Sequence, residues 1–122
     1  MSKILFVDDE AAILEVTKLL LRSIEYEAYL APSGHEAIEI LSDKDKQQEI
    51  KIIFLDLEMP GMNGLEVLEW INKNNIKIPT ILQTGLDDKK KIGKAMALGI
   101  KDYLIKPYTR EQLHQSILAF LQ

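Results

Sequence analysis

Five short apolar runs, each followed by a longer segment with apolar residues every three or four positions, limit the folds open to this chain more than any other feature. The runs fall at residues 4–7, 26–30, 52–55, 78–82 and 103–105, the second being weaker and alternating. Such brief stretches, rich in β-branched and aromatic residues, suit strands. The intervening segments carry series such as Ile13, Val16, Leu20 and Leu65, Leu68, Ile71, the spacing of helices that bury one stripe. Four of the five runs are apolar at successive positions, as a sheet covered on both faces requires. Strands alternating with helices imply right-handed crossovers and a parallel sheet. The pattern predicts one α/β domain over residues 1–122, doubly wound as (βα)5, with run 26–30 at an edge.

Helix signals agree with this division. Ser33 with Glu36, and Thr109 with Gln112, are capping-box pairs. Asn63 can cap the helix carrying Leu65 and Leu68, with Glu66 at its third position. Asp87 or Asp88 is expected to cap a helix that runs to about Leu98 and ends at Gly99. Residues 59–61 and 43–48 read as loops, although the second could prolong a helix.

Composition narrows the function. The chain has 122 residues, 47% of them hydrophobic, enough to bury one core. The net charge is −4 with no basic block beyond Lys89, Lys90 and Lys91, which read as a solvated helix face, so direct nucleic-acid binding has no support. The sequence has no cysteine, which excludes disulfides and thiolate metal sites. Between Lys3 and Asp8 stand only apolar residues 4–7, too few for a signal peptide or a membrane span. A cytoplasmic protein without membrane insertion is expected.

In an open parallel sheet, ligands gather outside the carboxyl ends of the strands. The residues placed there are Asp8, Asp9 and Glu10 after the first run, Asp56 after the third, Thr84 after the fourth and Lys106 after the fifth. Taken singly each has a plain reading: an aspartate capping a helix, a strand-end hydroxyl, a surface lysine before Pro107. Taken together they describe a pocket. Clustered carboxylates repel unless a cation or a lysine offsets them. Mg²⁺, a hard ion that favours carboxylate oxygens and phosphate, suits Asp8, Asp9 and Asp56, with Mn²⁺ as an alternative. A carboxylate can also attack phosphorus, and Lys106 and Thr84 could then neutralise and orient the phosphoryl oxygens.

Four motifs in order, Asp8-Asp9, the stretch 54–64 around Asp56, Thr84-Gly85, and Lys106-Pro107-Tyr108, resemble the receiver domains of two-component response regulators over nearly the whole chain. The resemblance implies a flavodoxin-like sheet of order 2-1-3-4-5 and makes Asp56 the phosphoacceptor. It implies Mg²⁺ held by Asp8, Asp9, Asp56 and the Glu58 backbone carbonyl, and a cis bond before Pro107. Thr84 and Lys106 would engage the phosphoryl group, Gly85 would be the small residue beside it, and Tyr103 would be the switch aromatic. The implied partners are a sensor histidine kinase or phosphotransfer protein, meeting the first helix near Ala11, Ile13 and Leu14, and an output protein. The output would dock on the face of the fourth helix, fifth strand and fifth helix, which includes Lys91, Lys94, Ala97 and Tyr103.

Some features modify that picture. The last helix has no arginine in its stretch 112–116, against the ion-paired dimer of winged-helix regulators, so a monomer or a weak phosphorylation-dependent dimer is expected. The sequence stops after the fifth helix, which favours a stand-alone regulator. Glu58 and Leu86, each two residues past a site residue, are expected to set the lifetime of the phosphoryl group. Gly61 and Gly64 serve the turn and the helix entry, while His35 and His114 are expected to be exposed bystanders. Two other readings remain in view. An aspartate-nucleophile phosphatase also spaces two acidic residues as Asp56 and Glu58 are spaced, but it needs a longer chain. A flavodoxin-like cofactor module would find its phosphate repelled by Asp8, Asp9 and Glu10.

Overall fold

Each of the five apolar runs forms a strand in the computed structural model, which describes residues 2–85 and 89–121. The elements are β1 (Lys3–Val7), α1 (Ala11–Ser23), β2 (Glu27–Ala31), α2 (Gly34–Ser42), α3 (Lys44–Glu49), β3 (Ile50–Asp56), α4 (Gly64–Lys73), β4 (Thr80–Thr84), α5 (Lys89–Ala97), β5 (Asp102–Ile105) and α6 (Arg110–Phe120). All neighbouring strands are parallel, in the order β2-β1-β3-β4-β5. Val7 pairs with both Ala31 and Leu55, Asp56 with Gln83, and Thr84 with Ile105. The carboxyl ends of the strands therefore stand side by side.

Alternation along each strand divides the core into two layers. Leu5, Val7, Ile53, Leu55 and Leu82 meet the apolar stripes of α2, α4 and α5. Ile4, Phe6, Ile52, Phe54, Ile81 and Leu104 meet those of α1 and α6, with the Phe6 and Phe54 rings stacked at 5.7 Å. Both faces are covered, as successive apolar residues required. Among the described residues no helix is long and apolar enough to cross a membrane.

Local signals explain most of the boundaries. Asn63 and Thr109 each close a complete capping box, with Glu66 and Gln112, and the Ser33 hydroxyl accepts from the Glu36 amide. Gly99 follows α5 at a φ of 96°, a left-handed conformation that glycine adopts freely. The expected cap at Asp87 or Asp88 lies outside the described residues.

Three expectations need correction. Residues 43–48 are not a loop: α3 occupies most of them, with the Asp43 carboxylate accepting from the Asp45 and Lys46 amides. That helix buries no residue, so it leaves no apolar period to read. The fourth strand starts two residues later than its apolar run. Pro79 has no amide to give the ladder, though its carbonyl accepts from Ile53. β5 is the other edge strand, as the order 2-1-3-4-5 requires, and of its four residues only Leu104 is buried. Finally, His114 is half-buried, its ring edge-on to Tyr26 at 6.5 Å, whereas His35 is exposed as expected.

Candidate functional site

The strand order reverses between β1 and β3, and there the acidic residues converge. Asp8 and Asp9 leave the end of β1 while Asp56 is the last residue of β3, its neighbour. Carboxylate oxygens of Asp8, Asp9 and Asp56 lie within 4.8 Å of one another. Asp8 and Asp56 are buried, and Asp9 is exposed at the rim. Only hard anionic oxygens meet here, a donor set that fits Mg²⁺ or Mn²⁺ and gives a soft metal nothing to prefer.

Lys106 holds the cluster together. Its ammonium donates to Asp8 Oδ2 at 2.7 Å and to Asp56 Oδ2 at 3.1 Å. The lysine is placed by its own backbone, whose amide donates to the Thr84 carbonyl at 2.7 Å, and a cis bond joins it to Pro107. Burial works against its charge, but the bonds and charges of Asp8 and Asp56 prevail and raise its pKa. Asp56 shifts the other way from a normal paired carboxylate. Burial first, then the charge of Asp8, pushes it up to about 6, against the pull of Lys106 and the Glu58 amide. One lysine does not fully offset two buried carboxylates. The site is short of positive charge, which is the condition a dication relieves.

The remaining residues divide into those brought to this pocket and those kept from it. Asp8 is not the cap of α1. The N-cap is Glu10, with no side-chain cap bond, and Asp8 Oδ1 accepts from the Glu10 amide at 2.9 Å. Asp56 Oδ1 accepts from the Glu58 amide at 3.2 Å. Thr84 is fully buried, and its hydroxyl donates to Glu58 Oε1 at 3.3 Å. Gly85 is exposed, with open space where a side chain would begin. Tyr103 stands outside the pocket at the sheet edge, 39% exposed, with Ile105 and the α5 residue Met96 also exposed. Leu86 lies outside the described residues.

Two residues of the site carried no role in the sequence reading. Gln83 lies on β4 beside Asp56 and is fully buried. Its amide donates to the Val7 carbonyl at 3.2 Å, and its oxygen accepts from the Tyr108 hydroxyl at 2.7 Å. Burial and the nearby charges of Asp8 and Asp56 hold the Tyr108 phenol far above its usual pKa, so it stays a donor. The signal for Gln83 was there: a polar side chain inside an otherwise apolar strand needs buried partners.

Comparison with known proteins agrees with the geometry. A family model described as the response regulator receiver domain matches residues 4–118. The cell cycle response regulator CtrA of Brucella ovis is 28% identical over 120 residues, an alignment covering 98% of this chain and 50% of that protein. The chain thus spans about half the length of the curated relatives it matches. A response regulator receiver domain protein from Clostridium thermocellum superposes with a TM-score of 0.90 at 31% identity, covering 99% of this chain and 94% of its own. The Vibrio cholerae chemotaxis protein CheY4 superposes with a TM-score of 0.87 at 27% identity, covering 99% of both chains.

Proposed function

The chain belongs to the response regulator receiver domain family, and from that premise we propose that Asp56 is its phosphoacceptor in a two-component phosphorelay. The observation that carries this reading is the triangle at the strand ends, where Lys106 reaches both Asp8 and Asp56 and the carboxylates of Asp8, Asp9 and Asp56 crowd together. Residues 1–122 act as one receiver unit in the cytoplasm.

The chemistry divides among the chain's own groups. Asp56 supplies the attacking oxygen, forming an acyl phosphate as the donor's bond to phosphorus breaks. Asp8, Asp9, Asp56 and the Glu58 carbonyl would hold Mg²⁺, with Mn²⁺ as a substitute. When bound, the ion supplies positive charge to the phosphoryl oxygens. Lys106 keeps its place beside Asp56 and neutralises the phosphoryl group as it arrives. Thr84 exchanges its bond to Glu58 for one to a phosphoryl oxygen, and Gly85 leaves room beside it.

That exchange drives the switch. Phosphorylation adds negative charge and strong acceptors at Asp56, drawing Thr84 inward and admitting Tyr103 from its exposed position. The α5-β5-α6 face, with Lys91, Lys94, Ala97 and Tyr103, then favours an output protein or a weak dimer, a population shift rather than a new fold. The donor is a histidine kinase or phosphotransfer protein meeting α1. Autodephosphorylation is the only turnover, tuned by Glu58 and Leu86.

Incubation with acetyl phosphate followed by intact mass measurement tests this reading. The wild type should gain one phosphoryl group with Mg²⁺ and none with a chelator, and Asp56→Asn should gain none in either. Equal gain by wild type and Asp56→Asn would remove the proposal.

A further inference from the structure

A strand that ends in a reactive pocket is held by its backbone ladder, but a loop needs its own anchors. Lys106 rides on the loop between β5 and α6, and the structure gives that loop two ties to β4. One is its backbone bond to the Thr84 carbonyl at 2.7 Å; the other is the Tyr108 hydroxyl on Gln83 at 2.7 Å. The second tie continues. β1 is not a neighbour of β4, since β3 lies between them. Gln83 nevertheless crosses the end of β3 and donates to the carbonyl of Val7, the residue before Asp8.

The direction of this chain of bonds is fixed by its ends. A carbonyl can only accept, so the Gln83 nitrogen must face Val7 and its oxygen must face Tyr108. The Gln83 nitrogen and oxygen each find a partner in one of the other two residues, and no buried side-chain nitrogen or oxygen is left without a partner among the described residues. An apolar residue at position 83 would fill the same space but leave the Tyr108 hydroxyl and the Val7 carbonyl without these bonds. The amide is therefore an expense in desolvation that packing alone does not explain.

We infer that Gln83 is a positioning residue that indexes the Lys106 loop, through Tyr108, and the Asp8 end of β1, through the Val7 carbonyl, to one buried point on β4. The inference rests on the phosphoacceptor reading of Asp56. It makes the lysine and the acidic pair move as one body. Asp8 and Lys106, already 2.7 Å apart, keep their separation while Thr84, the next residue on β4, changes partners. Without the bridge, the lysine loop would lose its tie to β4, and the peptide between Val7 and Asp8, at the end of the β1 ladder, would lose its own. Small misplacements of a charge beside a reacting group are costly in rate.

Tyr108→Phe deletes one oxygen and leaves the ring. Gln83→Leu deletes both bonds of the bridge. Three measurements on each, and on the double variant, separate positioning from mere stability: Mg²⁺ affinity by calorimetry, the phosphorylation rate with acetyl phosphate at saturating Mg²⁺, and the urea midpoint. Tyr108→Phe should slow phosphorylation about tenfold at wild-type Mg²⁺ affinity, because it touches only the lysine side. Gln83→Leu should slow it as much and weaken Mg²⁺ binding severalfold, because it also releases Val7. The double variant should be no slower than Gln83→Leu, as two ends of one bridge must be.

Rates and affinities equal to wild type, with only the urea midpoint lowered, would overturn the inference; so would rate losses that multiply in the double variant. If Gln83→Leu does not fold, Tyr108→Phe decides alone, and a wild-type rate in that variant overturns it. A wild type that acetyl phosphate leaves unmodified would sink the phosphoacceptor reading instead. The bridge is then judged on Mg²⁺ affinity, and an unchanged value in Gln83→Leu overturns it.

Discussion

Asp56 sits where burial and charge disagree about its proton. With its pKa pushed up to about 6, against roughly 3.9 for an unperturbed aspartate, the folded protein holds this proton more tightly than the unfolded chain does. The contribution of Asp56 to stability is therefore largest below the unfolded value and is lost as pH rises through about 6. At neutral pH and without metal, Asp56→Asn should raise stability, by on the order of 1 kcal/mol or a few degrees in Tm by calorimetry. The same proton competes with a cation. Mg²⁺ affinity should be roughly tenfold weaker at pH 5 than at pH 7, since a carboxylate must ionise to bind; a flat titration series would contradict this. Glu58 acts on the next residue of the cycle. Its carboxylate holds the Thr84 hydroxyl at 3.3 Å, and Glu58→Asn is too short to keep that bond. Phosphorylation by acetyl phosphate should then be faster by about fivefold, the worth of one ordinary hydrogen bond, as followed by intact mass against time.

Elements explain why the pocket forms at all, and why part of it was readable. Each site carboxylate follows a strand whose apolar run was plain in the sequence, so Asp8, Asp9, Asp56 and Lys106 could be assigned to one edge before any contact was known. Which strands were neighbours was another matter. The adjacency of β1 and β3 is a tertiary fact that no local period carries, and it came from the family resemblance. β5 shows the limit in reverse: its run of apolar residues looks like that of a covered strand, yet Tyr103 and Ile105 line an exposed edge, the place that only the strand order gives them. Gln83 could have been singled out by its polarity, but its partners Val7 and Tyr108 are far away in sequence. The entry to α4 is set by close approach. A Cβ at Gly64 would overlap the Asp56 carbonyl and stand 2.8 Å from the Leu57 Cα. Gly64→Ala should therefore cost about 2 kcal/mol or more in urea unfolding and weaken Mg²⁺ binding as the end of β3 shifts. Thr109→Ala, which breaks only the α6 capping box, should cost about 1 kcal/mol and leave Mg²⁺ affinity as it was.

At the scale of the whole molecule, two apolar layers hold a sheet whose carboxyl edge carries an uneven charge balance. Neither layer is built from the site's charged residues, so the site can be tuned for binding. Ligand linkage makes this measurable. Mg²⁺ at ten times its dissociation constant should add about 1.4 kcal/mol to folding, visible as a rise in Tm, and Asp9→Asn should remove most of that rise without unfolding the protein. The phosphoryl group, however, would sit on one carboxylate only, and its place can be read directly. Borohydride reduction of the phosphorylated protein converts an aspartyl phosphate to homoserine, which peptide mass mapping locates. Homoserine is expected at position 56 and nowhere else. Homoserine at Asp8 or Asp9, or a phosphoryl group mapped to His114, would contradict it.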